Sequence, residues 1–432
     1  MDSLLKEERV KSTIDKKSKL KEIVVSFGPG IIAVLSWLGA GDLVSASVSG
    51  ASYGYSLMWV LAISMIIRYV IVNVMARFQL CNNEGITLVQ GFGNLNKGFA
   101  GFLLIYTLIM GHMFLAFGYK GAGEALASLI GIGSSFIWSL LAMIFALFVL
   151  GRNIYKKIEN VMKVFLALMT ISFIGIAIAT VPDIGGIVKG TVGFSIPSSI
   201  GVHGALLVAI SLIGAVAGSI ANFIHPYFMR EKGWVNPSHK KLQRRDLMFG
   251  IVMVIIIDLA IWIVGAEVLN PRGIEVNDIN DLSQSLSLYL GHFGFLVFYL
   301  GVFCAVYSSV LGYATGLPKL LTDALQILKP HRREKYGEKF EDDPMYKWFG
   351  LFLVVTPIVW SVENGPTFVS LTLVTNALNI IGFPVIALGL LFLSNKKSLL
   401  GKYTNNWLEN IILFMATVLA VWSAIQLALS FF

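Results

Sequence analysis

The chain has 432 residues, of which 56% are hydrophobic and 13% are charged, and its formal net charge is +8. Soluble domains carry about 25% charged residues, so this composition excludes a soluble protein and indicates a membrane protein that crosses the bilayer many times. The Lys and Arg residues lie in particular loops, which argues against a nucleic-acid partner. The sequence carries no Gly-rich phosphate loop and no catalytic motif, so we expect no nucleotide partner, no cofactor and no enzyme activity.

Eleven apolar stretches are candidate membrane spans, because a span needs about 20 residues. Their centres lie near Trp37, Met65, Ile109, Leu141, Ile171, Ile213, Ile257, Val302, Val354, Ile380 and Thr417. The polar segment 1–23 that precedes them is expected to be a cytosolic tail. The remainder, 24–432, is predicted to form a single transmembrane domain.

The distribution of positive charge orients these spans. Lys and Arg are frequent in the N-terminal tail and after the fourth, sixth, eighth and tenth spans, where the basic segments begin at Arg152, Arg230, Lys329 and Lys396. The alternate loops are poor in both residue types. We therefore predict a multi-pass protein of the plasma membrane with a cytosolic N-terminus and an extracellular C-terminus. The basic loops are interpreted as topology signals and not as a binding site.

The first span, 27–54, is interrupted in its middle by Gly39-Ala40-Gly41-Asp42. Glycines weaken a helix, and a carboxylate at the depth of the lipid tails is costly unless an ion, a partner or water offsets it. Close packing by small residues would not explain Asp42. The break therefore predicts a functional site.

A second break is predicted in the sixth span, in the small-residue run from Ile213 to Ser219. The two broken spans are five spans apart, and a repeat with an odd number of spans is inverted in the membrane. Two Gly-interrupted spans at corresponding places in two halves indicate a transporter binding site. For the sixth span, glycines that serve close helix packing remain the alternative.

Motifs in the first, sixth and tenth spans carry a resemblance to a known family. They are Gly28-Pro29-Gly30, GASYGYSLMW at 50–59, Gly214-Ala215, Phe223-Ile224-His225, Thr375-Asn376 and Phe383-Pro384. In this order and spacing they resemble the Nramp divalent-metal transporters. The resemblance implies an all-α, LeuT-like membrane fold of eleven transmembrane helices, built from two inverted repeats of five, with helices one and six interrupted. The repeats would span about 24–182 and 203–395, followed by an extra helix at about 404–432.

The chain departs from the family at the positions that bind metal. The family's first-helix Asp-Pro-Gly-Asn signature falls on Gly39 to Asp42, and its sixth-helix Met-Pro-His falls on Gly218-Ser219-Ile220. Two third-span acids that the family associates with proton transfer fall on Leu115 and Gly118. This set of losses resembles the Nramp-related magnesium transporters.

The resemblance implies a metal site at six positions, which are Asp42, Ala215, Asn376, Gly39, Gly218 and Ser219. A methionine sulfur favours transition metals, so its loss removes that preference. Mg²⁺ keeps much of its water and is usually bound through one or two carboxylates. We therefore expect a roomy site in which Asp42 supplies charge, and in which amide, hydroxyl and carbonyl groups hold the waters of a hydrated ion.

Further residues are expected along the transport pathway, namely Asp258, His225, Thr375, Ala40 and Gly41. Asp258 lies in the apolar seventh span, where a packing aspartate that is protonated or hydrogen-bonded is the alternative. His225 matches a family histidine and would line the cytosolic exit, although a packing histidine explains it equally well.

The function expected from the sequence is uptake of divalent cations, Mg²⁺ above all and Mn²⁺ as well, without proton coupling. Its partners would be the transported ions and membrane lipid, and the oligomeric state is not readable. One alternative is a carrier of the same architecture for an organic substrate such as an amine or amino acid. Another is a sensor on a transporter fold that no longer transports.

Overall fold

The computed structural model describes residues 40–149, 155–198, 203–337 and 339–429, and these ranges contain helices and no strands. The tail at 1–23, the motif at Gly28 and the position Gly39 lie outside them. The helices are α1 Ala40–Tyr53, α2 Met58–Cys81, α3 Leu88–Leu95, α4 Lys97–Ile130, α5 Ser135–Val149, α6 Tyr155–Ala179, α7 Ile184–Val192, α8 Ala205–Val216, α9 Ile224–Glu231, α10 Lys240–Val264, α11 Ile279–Leu328, α12 Pro330–Tyr336, α13 Pro344–Val355, α14 Phe368–Ser394, α15 Lys397–Leu400 and α16 Trp407–Leu429.

The all-α membrane fold predicted from the sequence is confirmed. Ten of the predicted span centres lie inside helices, and Trp37 lies outside the described residues. Seven of the described helices are long and apolar enough to cross a membrane, or eight if α6 and α7, which meet at a bend of 107°, form one span. The count of eleven spans stays a prediction, because α5 and α13 are shorter than this criterion and half of the first span is not described.

The predicted interruption of the sixth span is confirmed. Helix α8 ends at Val216, a 3₁₀ turn covers Ile220–Phe223, and α9 starts at Ile224. The Ser219 hydroxyl caps this turn by accepting a hydrogen bond from the backbone N–H of Ala221. A hydroxyl at this position satisfies a donor that the helix leaves unpaired. The backbone is therefore held open between two short helices inside the bundle, where unwound backbone is tolerated only if it is buried in protein or lines a cavity.

The second half of the first span is α1, which packs between α8, α10 and α14. Its crossing with α10 is very close, because a Cβ at Gly50 would lie 2.3 Å from the carbonyl oxygen of Trp262. Two side-chain hydrogen bonds stabilise the same contact. Trp262 donates to the Gly54 carbonyl, and Asn270 donates to the Ala51 carbonyl. Helix α1 is thereby fixed against α10, and its first turn is positioned within the bundle.

The last long helix, α16, is attached to α2 by a buried ion pair. Arg77 Nη1 lies 2.7 Å from Glu409 Oε1, and the same guanidinium donates to the side chain of Asn405. Glu409 also accepts from the backbone N–H of Asn406. This pair lies outside the broken helices and provides a control for experiments on the charges described below.

The Gly50 contact yields a stability prediction. We expect Gly50→Ala to destabilise the protein by about 1–3 kcal/mol, because the new methyl group forces α1 away from α10. Thermal unfolding of the purified protein in detergent measures this change. Gly101→Ala is the matched control, since a Cβ there would meet no atom within 4 Å. Equal melting temperatures for the two variants would contradict the close crossing.

Candidate functional site

Asp42 lies in the first turn of α1, and its side chain is only 2% exposed. Its carboxylate accepts a hydrogen bond from Arg68 on α2, with 3.3 Å between Nη1 and Oδ2. Arg68 is 1% exposed. A buried charge requires a partner, and each of these two side chains supplies one for the other. The functional site is therefore built around an ion pair inside the bundle.

The same guanidinium reaches the end of the broken helix. Arg68 Nε donates to the carbonyl oxygen of Val216 at 2.6 Å, and Nη2 donates to that of Ala215 at 2.7 Å. The last carbonyls of a helix have no partner within the helix and carry partial negative charge. The positive charge of Arg68 thus lies between one carboxylate and two carbonyl oxygens.

A third carbonyl of the break is also occupied. Asn222, in the 3₁₀ turn, donates to the carbonyl oxygen of Ala217 at 3.1 Å and more weakly to that of Val216 at 3.5 Å. Because the side chain of Asn222 is buried, its amide replaces water as the donor at this helix end. The backbone carbonyls at the break that lack a partner within the helix therefore accept hydrogen bonds from protein side chains in this conformation.

Helix α14 closes the other side of the site through Asn376. Its Nδ2 lies 3.4 Å from the carbonyl oxygen of Gly41 and 3.4 Å from the hydroxyl of Ser45. A Cβ at Gly214 would lie 1.8 Å from the carbonyl oxygen of Asn376. Glycine is therefore required at position 214 for α8 to approach α14. The resulting contact holds Asn376 beside the first turn of α1.

A cavity of about 20 Å³ remains between these groups, lined among others by Asp42, Arg68 and Asn376. A single water needs about 10–15 Å³ measured in this way, so the space fits about one water molecule. The expectation of a roomy site for a hydrated ion is wrong for this conformation. The physical reason is the Arg68 side chain, which lies between Asp42 and the carbonyl oxygens of Ala215 and Val216.

The structure brings most of the predicted site residues together. Those that line the cavity are Gly41, Asp42, Ala215, Ser219 and Asn376. Gly218 directly precedes Ser219, and a Cβ there would meet Gly214 and Phe383 at 3.4 Å, an ordinary contact distance. Ala40 begins α1. The role of these residues as metal ligands stays a prediction, and the carbonyl of Ala215 is taken by Arg68.

The predicted pathway residues lie on four helices around the site, with Ala40 and Gly41 on α1 and the others on α9, α10 and α14. Asp258 on α10 is 1% exposed and experiences the charges of Asp42 and Arg68. Its Oδ1 atom has no hydrogen-bond partner among the described residues. Thr375 is buried on α14, and its hydroxyl also has no such partner there. His225 is buried in the first turn of α9 and does not line the cavity.

Arg68 was missed by the sequence analysis, although its signal is present in the sequence. It stands within the apolar run SLMWVLAISMIIRYVIVNVM of the second span. An ionisable residue at such depth is a functional candidate by default, and its partner is expected to be another buried charge. Arg68 lies in an unbroken helix, whereas the predicted site was built only from residues in or near the interrupted helices.

Solved structures resemble this fold. A mutant of the manganese transporter of Eremococcus coleocola matches with a TM-score of 0.72 at 15% identity, covering 94% of this chain and 86% of that chain. MhsT in complex with L-phenylalanine matches with a TM-score of 0.54 at 14% identity, covering 94% and 98%. The chain, with its broken helix and the buried ion pair at the end of that helix, therefore has a LeuT-like helical fold.

The sequence comparisons give the family. The family model described as "Natural resistance-associated macrophage protein-like", or Nramp, matches residues 30–430. The divalent metal cation transporter MntH of Bacillus subtilis is 23% identical over 71% of this chain and 73% of its own length. The uncharacterized membrane protein YcsG of the same organism is 21% identical over 96% of each. The chain belongs to the Nramp family, whose members are transporters and not enzymes.

The ion pair yields a prediction about stability. We expect Arg68→Gln to destabilise the protein by about 3–5 kcal/mol, because it leaves the Asp42 carboxylate buried without a counter-charge. Adding Asp42→Asn should recover part of this loss, because the orphaned charge is then removed. Thermal unfolding of the two single variants and the double variant measures the coupling. Additive effects would contradict a direct pairing.

Proposed function

We propose that this chain carries divalent cations across the membrane, with uptake of Mg²⁺ as its main activity and Mn²⁺ as a second substrate. The observation that carries the proposal is the place of the Arg68 guanidinium, between the Asp42 carboxylate and the carbonyl oxygens at the end of α8. This donor set already holds a cation. A transported ion would use the same oxygens once Arg68 has left them.

The chemistry of the donor set supports a hard cation. The described residues that line the cavity offer a carboxylate, an amide, hydroxyl groups and a carbonyl oxygen. None of these lining residues is a Met or a Cys, so the cavity wall contains no sulfur atom. Oxygen donors suit Mg²⁺ and also Mn²⁺, whereas an added thioether would favour transition metals over Mg²⁺. The described residues also contain no group of three or more His, Cys, Asp or Glu arranged for a metal. A site with so few charges favours an ion that retains part of its water.

Binding of an ion at these oxygens requires Arg68 to move, because the guanidinium already occupies them and repels a second cation at contact distance. Asp258 is the acceptor that the structure offers, because it is buried near Arg68 and its Oδ1 has no partner among the described residues. In the proposed cycle the guanidinium shifts from Asp42 toward Asp258 as the ion arrives. Its departure also vacates the volume that a partly hydrated ion needs.

The proposed transport is not coupled to protons and needs no cofactor. The third-span positions that match the family acids are Leu115, which is buried, and Gly118, where a Cβ would lie 2.4 Å from Val310. Neither position holds a titratable group. A membrane potential that is negative inside favours entry of a cation by about 2.3 kcal/mol per charge per 100 mV.

Flux assays in proteoliposomes test the proposal. We expect entry of Mg²⁺ and Mn²⁺ along their gradients, and at least a tenfold lower rate for Asp42→Asn, because the substitution removes the charge and keeps the shape. Glu409→Gln is the matched control, since it also removes a buried carboxylate paired with an arginine of α2. Equal rates for Asp42→Asn and the wild type would refute the site.

The absence of proton coupling is tested in the same vesicles with a pH-sensitive dye. Mg²⁺ entry should leave the internal pH unchanged when the membrane potential is clamped. Acidification that depends on Mg²⁺ would overturn uncoupled transport while leaving divalent-cation transport in place.

The loss of the sulfur ligand has its own test. Gly218→Met should raise transport of Mn²⁺ relative to Mg²⁺, because a thioether beside the cavity favours the transition metal. Gly218→Leu, which has a similar volume and no sulfur, is the control. The same change in both variants would assign the effect to packing.

A second candidate function is suggested by Arg68 itself. A guanidinium binds carboxylates strongly, so the pair of Asp42 and Arg68 would suit a small organic zwitterion, with its amine on Asp42 and its carboxylate on Arg68. Thermal stabilisation of the wild-type protein by Mg²⁺, by Mn²⁺ or by a set of amino acids separates the two functions. Stabilisation by amino acids alone would favour the organic carrier, and no flux of any substrate would favour a sensor.

A further inference from the structure

Two cavities adjoin at one end of α10, on the outer surface of the bundle. The first, which we name the basic pocket, has a volume of about 540 Å³ and is lined by Lys240, Lys241, Arg244, Arg245 and Met248, with Pro237 and Ser238 at its edge. The second, the apolar groove, has a volume of about 490 Å³ and runs between α2, α7 and α10. Met248 lines both cavities, so the two are adjacent, and we refer to them together as one depression.

The basic pocket concentrates four cations within the first six residues of α10. None of the four forms an ion pair with a carboxylate within the described parts of the chain. The N-terminus of a helix carries partial positive charge, so cations are unfavourable there and an anion is favoured. These charges therefore lack a counter-ion in a place where one would be stabilising.

The apolar groove begins where the basic pocket ends. Arg244 Nε lies 3.3 Å from the hydroxyl of Tyr69, and Tyr69 lines the groove on α2. From there the groove extends along α2 to Met58 and along α10 to Leu259. Its walls are almost entirely apolar, and Ile66 and Met248 on its rim are exposed large hydrophobic residues. We therefore expect the groove to face the lipid, and it runs along the direction of α2 and α10.

We propose that this depression is a binding site for one anionic phospholipid. Its phosphate and headgroup lie in the basic pocket, and an acyl chain lies in the apolar groove. Clusters of four or more Lys and Arg residues beside a transmembrane helix attract acidic headgroups, and the groove adds the apolar burial that a free anion does not need. The site goes beyond the transport function and is independent of it. It also assigns a role to a basic loop that topology alone would otherwise explain.

Native mass spectrometry of the purified full-length protein tests the site. The probes are phosphatidylglycerol and phosphatidylcholine with identical acyl chains. We expect preferential retention of phosphatidylglycerol, and a loss of about fivefold in its affinity for each charge removed from the pocket. The test variant is the combination Lys240→Gln, Lys241→Gln, Arg244→Gln and Arg245→Gln.

The matched control removes four charges from other basic loops, by Lys329→Gln, Lys335→Gln, Lys396→Gln and Lys397→Gln. These residues do not line either cavity. An equal loss in both quadruple variants would overturn the site, because it would show only a general attraction of the anionic lipid to a basic protein. Equal retention of the two lipids by the wild type would overturn it as well.

The groove is tested with all four charges in place. Ile255→Trp narrows the groove, and we expect at least a fivefold loss of retained phosphatidylglycerol. Ile256→Trp is the control, since Ile256 is 42% exposed and does not line the groove. Competition by inorganic phosphate or glycerol phosphate separates a free anion from a lipid. Displacement of the lipid by either at a concentration equal to that of the lipid, or unchanged retention in Ile255→Trp, would overturn the proposal.

Discussion

A buried carboxylate and a buried guanidinium, Asp42 and Arg68, hold α1, α2 and the end of α8 together. Neither charge could remain inside the bundle without the other, because the desolvation of a lone ion is far more costly than that of a pair. The last carbonyl groups of α8 have no partner within the helix, and the Arg68 guanidinium supplies hydrogen bonds to them as well. The small volume of the cavity depends on this arrangement, whereas the close contact of Gly214 with α14 holds Asn376 in place.

The main architecture could be predicted from the sequence because its signals are local. Apolar runs of sufficient length gave the spans, and the small residues at 213–219 gave the break that the structure places between Val216 and Ile220. The close approach of α8 to α14 likewise follows from Gly214. The short helix α3 and the bend before α7 were not predicted, because such elements depend on packing against the bundle and not on hydropathy.

The content of the site was predicted only in part. Asp42, Ala215, Ser219 and Asn376 do meet around one cavity, since the interrupted helices and α14 bring their positions together. The missing part was Arg68, whose partners lie 26 and 147 residues away in the sequence. The place of Arg68 in an apolar run marks it as a candidate, but which residues it pairs with is a property of the fold and is not read from a local pattern. The predicted volume was wrong for the same reason.

The tethered guanidinium gives the proposed carrier an electrical property. When no ion is bound, Arg68 neutralises Asp42, so the unloaded site can return across the membrane without moving the charge of that carboxylate. The membrane potential then acts mainly on the loaded step and leaves the return step almost unaffected. A carrier with this internal counter-ion would not be held on one side by a strongly negative interior, as one with a bare carboxylate would be.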